Sequence, residues 1–410
     1  LGVYLSYFMD SKYYYKSKRA GIYEQGPYTM KLTRDTRWGY GLCGGAGLSF
    51  LIRRFEVAFE GRYYFGYSDV LRNGTKYQGN PTHSPLDNIN VSMAFYYRLS
   101  KEGLFFSRTY ASGTRSVRGI EAVNLSIPPL PGQSIVRRPG NENLHGLGPV
   151  FAEKGYDNKW IYGGYGYFDN MNAFLGGNGF RVVDRTAWAD GEITFANAWG
   201  AADEDTFAKV IKEADKSYAS GKPFLTLLLT ISNHRPYTYP SGKVSLTGGR
   251  EGGVQYADYA IGEFLRRAES KPWFDNTIFV FVADGDEEID LEGHHIPWII
   301  YAPKLVKARR IDMPVSQLDV LPTLLGLLNF DYESRFYGQD ALSPDYESRF
   351  FVSNFQKIGY VKNGAGVILK PVRDYAVLPA GTQSTHVQPL LDEAVAFYQS
   401  ASHWKHFLKK

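Results

Sequence analysis

Thr114 is a hydroxyl residue that follows three small residues, 111–113, and precedes a segment with helical apolar spacing. A helix N-terminus presents unpaired N–H groups and a positive dipole end, which favour an anion or a forming alkoxide. Arg115 and Arg118 lie one helical turn apart, and guanidinium groups bind phosphate in a bidentate way. An alcohol here could attack phosphorus if a metal ion or a base lowered its pKa. The same pattern fits Thr114 as an ordinary N-cap, so the local sequence leaves both roles open.

Two further reactive groups follow apolar runs that we predict to be strands. His234 comes two positions after residues 224–232, and Asp284 comes directly after residues 277–283. Ligands of open α/β sheets bind beyond the carboxyl ends of the strands, so we expect both side chains near Thr114. Carboxylates and imidazoles beside a hydroxyl suit a divalent metal ion that activates the alcohol. Taken singly, each residue is also explained as an ordinary turn, loop or capping residue.

The elements that must position these residues alternate between helix and strand from residue 102 onward. Period-3.6 spacing and capping patterns predict helices over residues 144–154, 207–218, 255–268, 316–328 and 389–408. Continuous apolar runs predict strands over residues 160–162, 224–232, 277–283 and 296–302. The helix at 316–328 opens with the Ser316-x-x-Asp319 pattern of a capping box. This order predicts an α/β fold with a mostly parallel sheet.

The first quarter of the chain has a different composition from the rest. Residues 1–101 hold 14 Lys/Arg and 7 Asp/Glu, and 14 of the 31 tyrosines. Alternation predicts about four strands, over residues 1–15, 39–50, 55–67 and 89–99. Such strands occur in outer-membrane barrels and in soluble sandwiches, and the pattern alone does not separate the two. We therefore predict two modules, 1–101 and 102–410.

Composition excludes several classes of function. The net charge is +4 without a dense run of basic residues, which argues against nucleic acid as a partner. Cys43 is the only cysteine, so an intramolecular disulfide is excluded. No apolar run approaches the roughly 20 residues of a transmembrane helix. Because Leu1 is not a methionine, we expect an incomplete or processed N-terminus.

Several motifs together resemble a known family. They are residues 109–122, 128–135, 162–172, 198–200, 231–237 and 317–323. The chain resembles the lipoteichoic acid synthase-like proteins, which are sulfatase-domain phosphoglycerol transferases of the alkaline phosphatase superfamily, and is closest to their Gram-negative branch. The resemblance implies that residues 102–410 form an alkaline-phosphatase/sulfatase-like fold, with a mostly parallel sheet sandwiched by helices.

By this resemblance, Thr114 is the nucleophile and a metal ligand, Asp284 is a second metal ligand, and His234 contacts the substrate head group. The other residues expected to bind substrate are Arg118, Asp169, Asn170, Asn172 and Trp199. The implied reaction transfers phosphoglycerol from a glycerophospholipid donor to the threonine and then to a glycan or lipid acceptor, or to water. The implied cofactor is Mn or Mg. The implied place is the periplasm-facing cell envelope, at a membrane surface.

Two departures from the family pattern affect the metal site. The family supplies a glutamate at the end of a first strand upstream of the threonine, and this chain is predicted to lack that strand. The family also has Asp-His where this chain has Asp284-Gly285. Asp286 or His295 could substitute, and Gly285→His with a restored first strand is expected to recover metal binding.

Two alternatives to an active transferase follow. One is a catalytically inactive envelope protein that no longer binds metal. The other is a sulfuric ester hydrolase, which needs a cysteine- or serine-derived formylglycine, whereas Cys43 lies in the first module.

The first module carries a resemblance of its own. Residues 41–67 and 84–99 resemble the last strands of Bacteroidetes-type outer-membrane β-barrel proteins. The resemblance covers about four strands, and single-chain barrels begin at about eight. Residues 1–101 are therefore predicted to be a partial barrel segment.

Overall fold

The computed structural model describes residues 95–410 apart from 247, 286–290, 379–383 and 410, and six strands before them. Side chains are described from residue 98 onward, with the same exceptions and 384–386. The chain divides into two compact units, Leu1–Phe95 and Tyr96–Lys410.

The first unit consists of strands. They are β1 Gly2–Tyr7, β2 Ser11–Ser17, β3 Ile22–Tyr28, β4 Trp38–Ile52, β5 Phe55–Gly66 and β6 Asp87–Ser92. An antiparallel sheet has the order β1-β4-β5-β6, and β2 pairs with β3. The strand predicted over residues 1–15 is thus two strands. The membrane role predicted for this segment concerns side chains outside the described set, and it stays a prediction.

The prediction of a strand over residues 89–99 is wrong in its second half, because the helix α1 occupies Phe95–Glu102. Arg98 donates two hydrogen bonds of 3.0 Å to the carboxylate of Glu102, one helical turn later. Leu99 is buried in the hydrophobic core of the second unit. These two contacts favour helix over the alternating pattern of the sequence.

The second unit contains the remaining helices and strands. Its helices are α2 Ser116–Leu125, α3 Leu147–Glu153, α4 Met171–Gly177, α5 Asp203–Ala219, α6 Gly249–Ala268, α7 Val320–Leu327, α8 Ser384–Ser402 and α9 Trp404–Leu408. Its strands are β7 Leu104–Tyr110, β8 Asp157–Tyr162, β9 Arg181–Val183, β10 Phe224–Leu229, β11 Phe279–Val282, β12 His295–Tyr301, β13 Arg309–Ile311, β14 Val315–Ser316, β15 Arg349–Ser353, β16 Ile358–Lys362, β17 Ala365–Lys370 and β18 Asp374–Leu378.

Three sheets organise these strands. The first is parallel, in the order β10-β8-β9. The second is mixed, in the order β11-β12-β7-β13, with β12 antiparallel to its neighbours and β14 also parallel to β7. The third is the antiparallel sheet β15-β16-β17-β18, against which α8 packs, and it was not predicted. The α/β class is confirmed, with more antiparallel pairing than expected.

Three hydrophobic cores cover the first two sheets. We call them the α2 core, around Val117, Ile120 and Leu125; the α5–α6 core, around Phe207 and Phe264; and the β7 core, around Leu104, Phe106 and Trp298. These cores explain why the apolar runs of the sequence form strands, since both faces of the central strands are buried.

The sequence predicted the positions of the helices more accurately than their first and last residues. The capping box is confirmed, because the carboxylate of Asp319 accepts a 2.8 Å hydrogen bond from the Ser316 backbone N–H and the Ser316 hydroxyl accepts from Leu318. It opens a 3₁₀ turn that leads into α7. The last helix begins five residues before the predicted start and is divided into α8 and α9. Within the described part of the chain, no helix is both long and apolar enough to cross a membrane.

Candidate active site

Thr114 lies in the loop between β7 and α2 and is half-buried. The N-cap of α2 is Arg115, with an extended backbone, and Ser116 is the first helical residue. The alternative in which Thr114 serves as the N-cap is therefore excluded by the position of the helix. Thr114 precedes the cap by one residue, close to the N–H groups of the first helical turn.

Buried side chains from two distant segments hold this loop. The backbone N–H of Ser112 donates to Gln317 Oε1 over 3.1 Å, and Ser353 Oγ donates to the Ser112 carbonyl over 2.7 Å. Gln317 Nε2 also donates to the carbonyl of Ala283 over 2.8 Å. Gln317 thus joins the Thr114 loop to the loop that carries Asp284. No role was predicted for Gln317 from the sequence, although it lies within one of the family motifs.

Glycines allow the loop that carries Asp284 to approach the Thr114 loop and α2 closely. A Cβ atom added to Gly285 would lie 2.7 Å from the carbonyl oxygen of Gly113. A Cβ atom added to Gly119 would lie 3.4 Å from the Cβ of Asp284. A side chain at position 285 therefore requires one loop to move.

The loop contact brings a second hydroxyl to the predicted metal ligand. Ser116 Oγ donates a 2.6 Å hydrogen bond to Asp284 Oδ2, and the Asp284 side chain is exposed. The hydroxyl of the first residue of α2 thereby fixes the orientation of this carboxylate. Ser116 was part of the motif, but its spacing alone gave no reason to assign it this contact.

The two arginines of the motif have different roles. Arg118 is 7% exposed, and its guanidinium donates to the carboxylate of Glu121 and to the carbonyls of Leu130 and Gly132. All of these contacts lie within the fold, so they argue against the substrate-binding role predicted for Arg118. Arg115 is 58% exposed and lines the cavity described below. Arg115 is therefore the better candidate for binding an anion.

Asp169 lies between two guanidinium groups. Arg115 and Arg137 each approach its carboxylate to 3.0 Å, and its side chain is 10% exposed. Asn170 Nδ2 donates to the Val136 carbonyl, which gives this residue a structural contact. Asn172 Oδ1 accepts from the backbone N–H of the next residue, and is half-buried. Of the three residues predicted here, Asp169 is the one that lines the cavity.

His234 and Trp199 form a ring pair at the end of the β10 segment. Their ring centroids lie 4.0 Å apart, and both His234 Nδ1 and Trp199 Nε1 contact the carbonyl of Arg235, at 2.9 and 2.5 Å. Because a carbonyl oxygen only accepts hydrogen bonds, Nδ1 carries the proton in this arrangement. In the neutral imidazole the other ring nitrogen, Nε2, is then the acceptor that His234 offers to a ligand.

The described residues do not form a metal site by themselves. Among them, no three His, Cys, Asp or Glu side chains come together in a way that could hold a metal ion. His295 Nε2 is already bonded to the Ser107 carbonyl over 2.7 Å, which leaves only Nδ1 for a metal. Asp286 lies outside the described residues. The implied Mn or Mg ion therefore does not fit the ligand set that is described.

One large cavity connects the predicted residues. Its volume is about 2020 Å³, and its lining includes Thr114, Asp169, Trp199, His234, Asp284 and His295. Thr114, His234 and Asp284 lie in the segments that follow β7, β10 and β11, and all three line this cavity, as the sequence predicted. Arg118, Asn170 and Asn172 are not part of this lining.

Known proteins share this architecture. A structure of a protein in the alkaline phosphatase superfamily from Vibrio parahaemolyticus matches with a TM-score of 0.71 and 30% identity, over 77% of this chain and 82% of that one. The lipoteichoic acid synthase LtaP of Listeria monocytogenes matches with a TM-score of 0.64 and 16% identity, over 77% and 86%. The fold is thus that of the alkaline phosphatase superfamily.

The family follows from the sequence comparison. The family model described as Sulfatase matches residues 86–330, which is more than half of the chain. The chain belongs to the sulfatase family, and the predicted resemblance is confirmed for the second unit.

Curated relatives point to a narrower group. Phosphoglycerol transferase I of Citrobacter koseri is 27% identical over 210 residues, which is 45% of this chain and 27% of that protein. The protein of the same name from Escherichia fergusonii is 26% identical over 153 residues, 34% of this chain and 20% of that protein. The matched segments thus span about a quarter of the length of these relatives.

Proposed function

We propose that the second unit transfers or hydrolyses a phosphoglycerol head group through a covalent intermediate on Thr114. The observation that carries this proposal is the position of Thr114 just before the N-terminus of α2, in the cavity that Asp284 and His234 also line. The similarity to phosphoglycerol transferases I supports this choice of head group. The donor is a glycerophospholipid, and the acceptor is a glycan or lipid of the cell envelope.

The proposed reaction has two half-reactions. Thr114 Oγ1 attacks the phosphorus of the donor, and the bond between phosphorus and the diacylglycerol oxygen breaks. The proton of the threonine hydroxyl ends on the departing diacylglycerol oxygen. An acceptor hydroxyl or water then attacks the same phosphorus, the bond from phosphorus to Oγ1 breaks, and a proton returns to Thr114.

Three features of the site suit the charge and shape of this substrate. The N–H groups at the start of α2 and the exposed Arg115 guanidinium stabilise an anionic phosphoryl group. Arg137 shares Asp169 with Arg115, so the two guanidinium groups are held close to one carboxylate. His234 Nε2, held in place by the Trp199 ring, can accept a hydrogen bond from a glycerol hydroxyl.

The setting of the reaction is inferred from the family. The divalent metal ion and the cell-envelope location are those that the resemblance to lipoteichoic acid synthase-like proteins implies. We place the activity at the periplasmic side of a membrane surface. Because the described ligand set does not fit a metal ion, no step above is assigned to one.

Mass spectrometry of the full chain with phosphatidylglycerol in detergent micelles tests the proposal. We expect a mass increase of one phosphoglycerol group, mapped to Thr114, together with release of diacylglycerol. Thr114→Ala should abolish the adduct, and Thr114→Ser should retain it. An adduct that persists in Thr114→Ala, or that maps to Ser116, would show that Thr114 is not the nucleophile.

The second candidate is a catalytically inactive envelope protein. The absence of a three-residue metal-ligand group among the described side chains favours it. A folded chain that releases no diacylglycerol and forms no adduct, with or without added Mn, would support this alternative.

A further inference from the structure

Asp203, the first residue of α5, carries a buried carboxyl group that the proposed reaction does not use. The residue is 1% exposed. Its Oδ1 atom accepts hydrogen bonds from the backbone N–H groups of Ile231, over 2.9 Å, and of Ser232, over 3.1 Å. The backbone N–H of Asp203 in turn donates to Ser232 Oγ over 3.2 Å. The start of α5 is therefore joined to the segment that follows β10.

These hydrogen bonds differ from those of a helix cap. Acidic residues are favoured in the first turn by the helix dipole, and α5 has three of them there. A capping side chain accepts N–H groups of its own helix, whereas Asp203 accepts them from residues 28 and 29 positions later in the chain. Burial of a carboxyl group costs free energy. The contact with residues 231 and 232 therefore requires an explanation outside α5.

The contacted segment leads directly to His234. The backbone N–H of His234 donates to the carbonyl of Ile231 over 3.0 Å, which closes a turn over residues 231–234. Asp203 holds the N–H groups of the first two residues of this turn, and His234 is its fourth residue. The place of His234 beside the cavity therefore depends on the Asp203 carboxyl group.

The segment before Asp203 holds the ring of His234. Trp199 lies four positions before Asp203, and its ring centroid is 4.0 Å from that of His234. Between Trp199 and Asp203, the backbone N–H of Ala201 donates to the carbonyl of Gly163, the residue after β8, over 2.9 Å. One short segment, itself bonded to the end of the neighbouring strand, thus positions both the backbone and the ring of His234.

We propose that Asp203 is a positioning residue, whose carboxyl group holds the 231–234 turn so that His234 Nε2 faces the glycerol hydroxyls of the substrate. This inference rests on the proposed function, because it concerns the head group that the site binds. Asp203 is buried and lies outside the cavity lining, so it acts through His234. It thereby favours glycerol phosphate over inorganic phosphate, which has no glycerol hydroxyls.

Binding of these two small ligands to the full chain tests the proposal. The Kd of each is measured by NMR titration, and the Trp199 indole N–H signal, identified by its loss in Trp199→Phe, reports the geometry beside His234. We expect Asp203→Ala to weaken binding of glycerol phosphate about tenfold, which is the effect of losing about one hydrogen bond. Binding of inorganic phosphate should change less than about twofold, and the Trp199 signal should shift without ligand.

Two further variants distinguish positioning from a general structural role. Burial raises the pKa of the Asp203 carboxyl, so the uncharged Asp203→Asn is the conservative replacement. Its amide oxygen can accept both N–H groups, and it should keep most of the affinity for glycerol phosphate. His234→Ala should weaken this binding as much as Asp203→Ala does. The double variant should be no weaker than either, because both changes remove one interaction.

Asp205 provides the matched control in the same helical turn. It is 7% exposed, and its Oδ2 atom accepts the backbone N–H groups of Thr194, over 2.8 Å, and of Phe195, over 3.1 Å. Asp205→Ala therefore removes a similar pair of hydrogen bonds from a segment that does not contain His234. Its affinity for glycerol phosphate should stay close to that of the unmodified chain.

Equal weakening in Asp203→Ala and Asp205→Ala, or equal weakening of both ligands in Asp203→Ala, would overturn the proposal. So would an unchanged Kd in Asp203→Ala, additive losses in the double variant, or no binding of glycerol phosphate by the unmodified chain. If Asp203→Ala does not fold, Asp203→Glu gives the same test, because its longer side chain displaces the carboxyl group. Binding requires no turnover, so a chain that binds glycerol phosphate but forms no adduct on Thr114 would contradict the proposed reaction alone.

Discussion

Ser116 Oγ donates a 2.6 Å hydrogen bond to Asp284 Oδ2, which connects the first turn of α2 to the loop that follows β11. The two residues are 168 positions apart in the chain. Their contact places a carboxylate beside the helix N-terminus that Thr114 precedes. The site is therefore assembled by the approach of two loops.

Removing the Ser116 hydroxyl should reduce activity more than stability. Ser116→Ala deletes one hydrogen bond to an exposed carboxylate, which contributes about 0.5–1.5 kcal/mol to the free energy of unfolding. Because Asp284 then loses its positioning partner, we expect slower release of diacylglycerol from phosphatidylglycerol. Ser116→Thr keeps a hydroxyl and should restore most of the rate. Full activity in Ser116→Ala would mean that this contact is unimportant for the reaction.

A side chain at position 285 should destabilise the site. The added Cβ of Gly285→Ala would lie 2.7 Å from the Gly113 carbonyl oxygen, so we expect a loss of about 1–3 kcal/mol in denaturant unfolding. Gly176→Ala is the matched control, because its Cβ would meet only Val182 at 3.6 Å. From the family pattern, Gly285→His is expected to help restore metal binding, whereas this contact predicts that the histidine first displaces the Thr114 loop. Equal stability of both alanine variants would contradict the prediction.

The two arginines of the motif should give opposite phenotypes. Arg118→Gln breaks a buried ion pair with Glu121 and should lower the free energy of unfolding by about 3 kcal/mol. Arg115→Gln removes an exposed charge and should cost less than about 1 kcal/mol. Its effect should instead be a higher KM for the phospholipid donor. A large stability loss in Arg115→Gln with unchanged KM would reverse these assignments.

Asp319 should give the stability of the protein a measurable pH dependence. Burial raises the pKa of its carboxyl to about 6, even though the backbone N–H groups of Gln339 and Ser316 and the hydroxyl of Tyr346 donate to it. The unfolded value is about 3.9, so the folded state holds the proton more tightly. Its contribution to the free energy of unfolding therefore falls as the pH rises from about 4 to about 6.

Asp319→Asn should flatten this part of the pH–stability curve, measured by urea unfolding at each pH. Glu192 is the control, because its effect on the pH dependence of stability has the opposite sign. Hydrogen bonds from Lys209 and Lys212 lower the pKa of its carboxyl to about 2. The contribution of Glu192 to the free energy of unfolding is present above about pH 4.3 and is lost as the pH falls. An unchanged slope in Asp319→Asn would show that its carboxyl does not titrate in this range.

Metal binding by this chain should be weak. The described residues offer no group of three ligands, and each missing carboxylate or imidazole removes an attraction that offsets dehydration of the ion. Calorimetric titration with Mn should therefore give a Kd above about 1 mM. Micromolar binding that is lost in Asp284→Ala would contradict this expectation, and would point to Asp286 or His295 as the additional ligands.

Much of the local structure could be predicted from the sequence because it depends on short-range patterns. The helical spacing of Phe207, Val210 and Ile211 predicted α5, and the capping box at Ser316 predicted where the segment before α7 begins. The sheet β15-β16-β17-β18 was missed, and residues 95–99 were predicted as strand. In the latter case the burial of Leu99, a tertiary contact, favours the helix.

By itself, the sequence determined which residues could do chemistry: Thr114 before a helix, and Asp284 and His234 after strands. Arg115 and Arg118 carry the same charge one turn apart, and the family resemblance selected Arg118 for substrate binding. Only the tertiary structure placed Arg118 against buried Glu121 and left Arg115 in the cavity.

The sequence alone also did not determine how the strand edges are paired. The apolar run at residues 224–232 predicted a strand covered on both faces, and β10 is covered in that way. Side-chain patterns report the two faces of a strand, whereas its edges consist of backbone groups that every residue carries. Whether an edge is paired is therefore decided only when the strands assemble; among the described strands, β10 pairs with β8 alone and β11 with β12 alone.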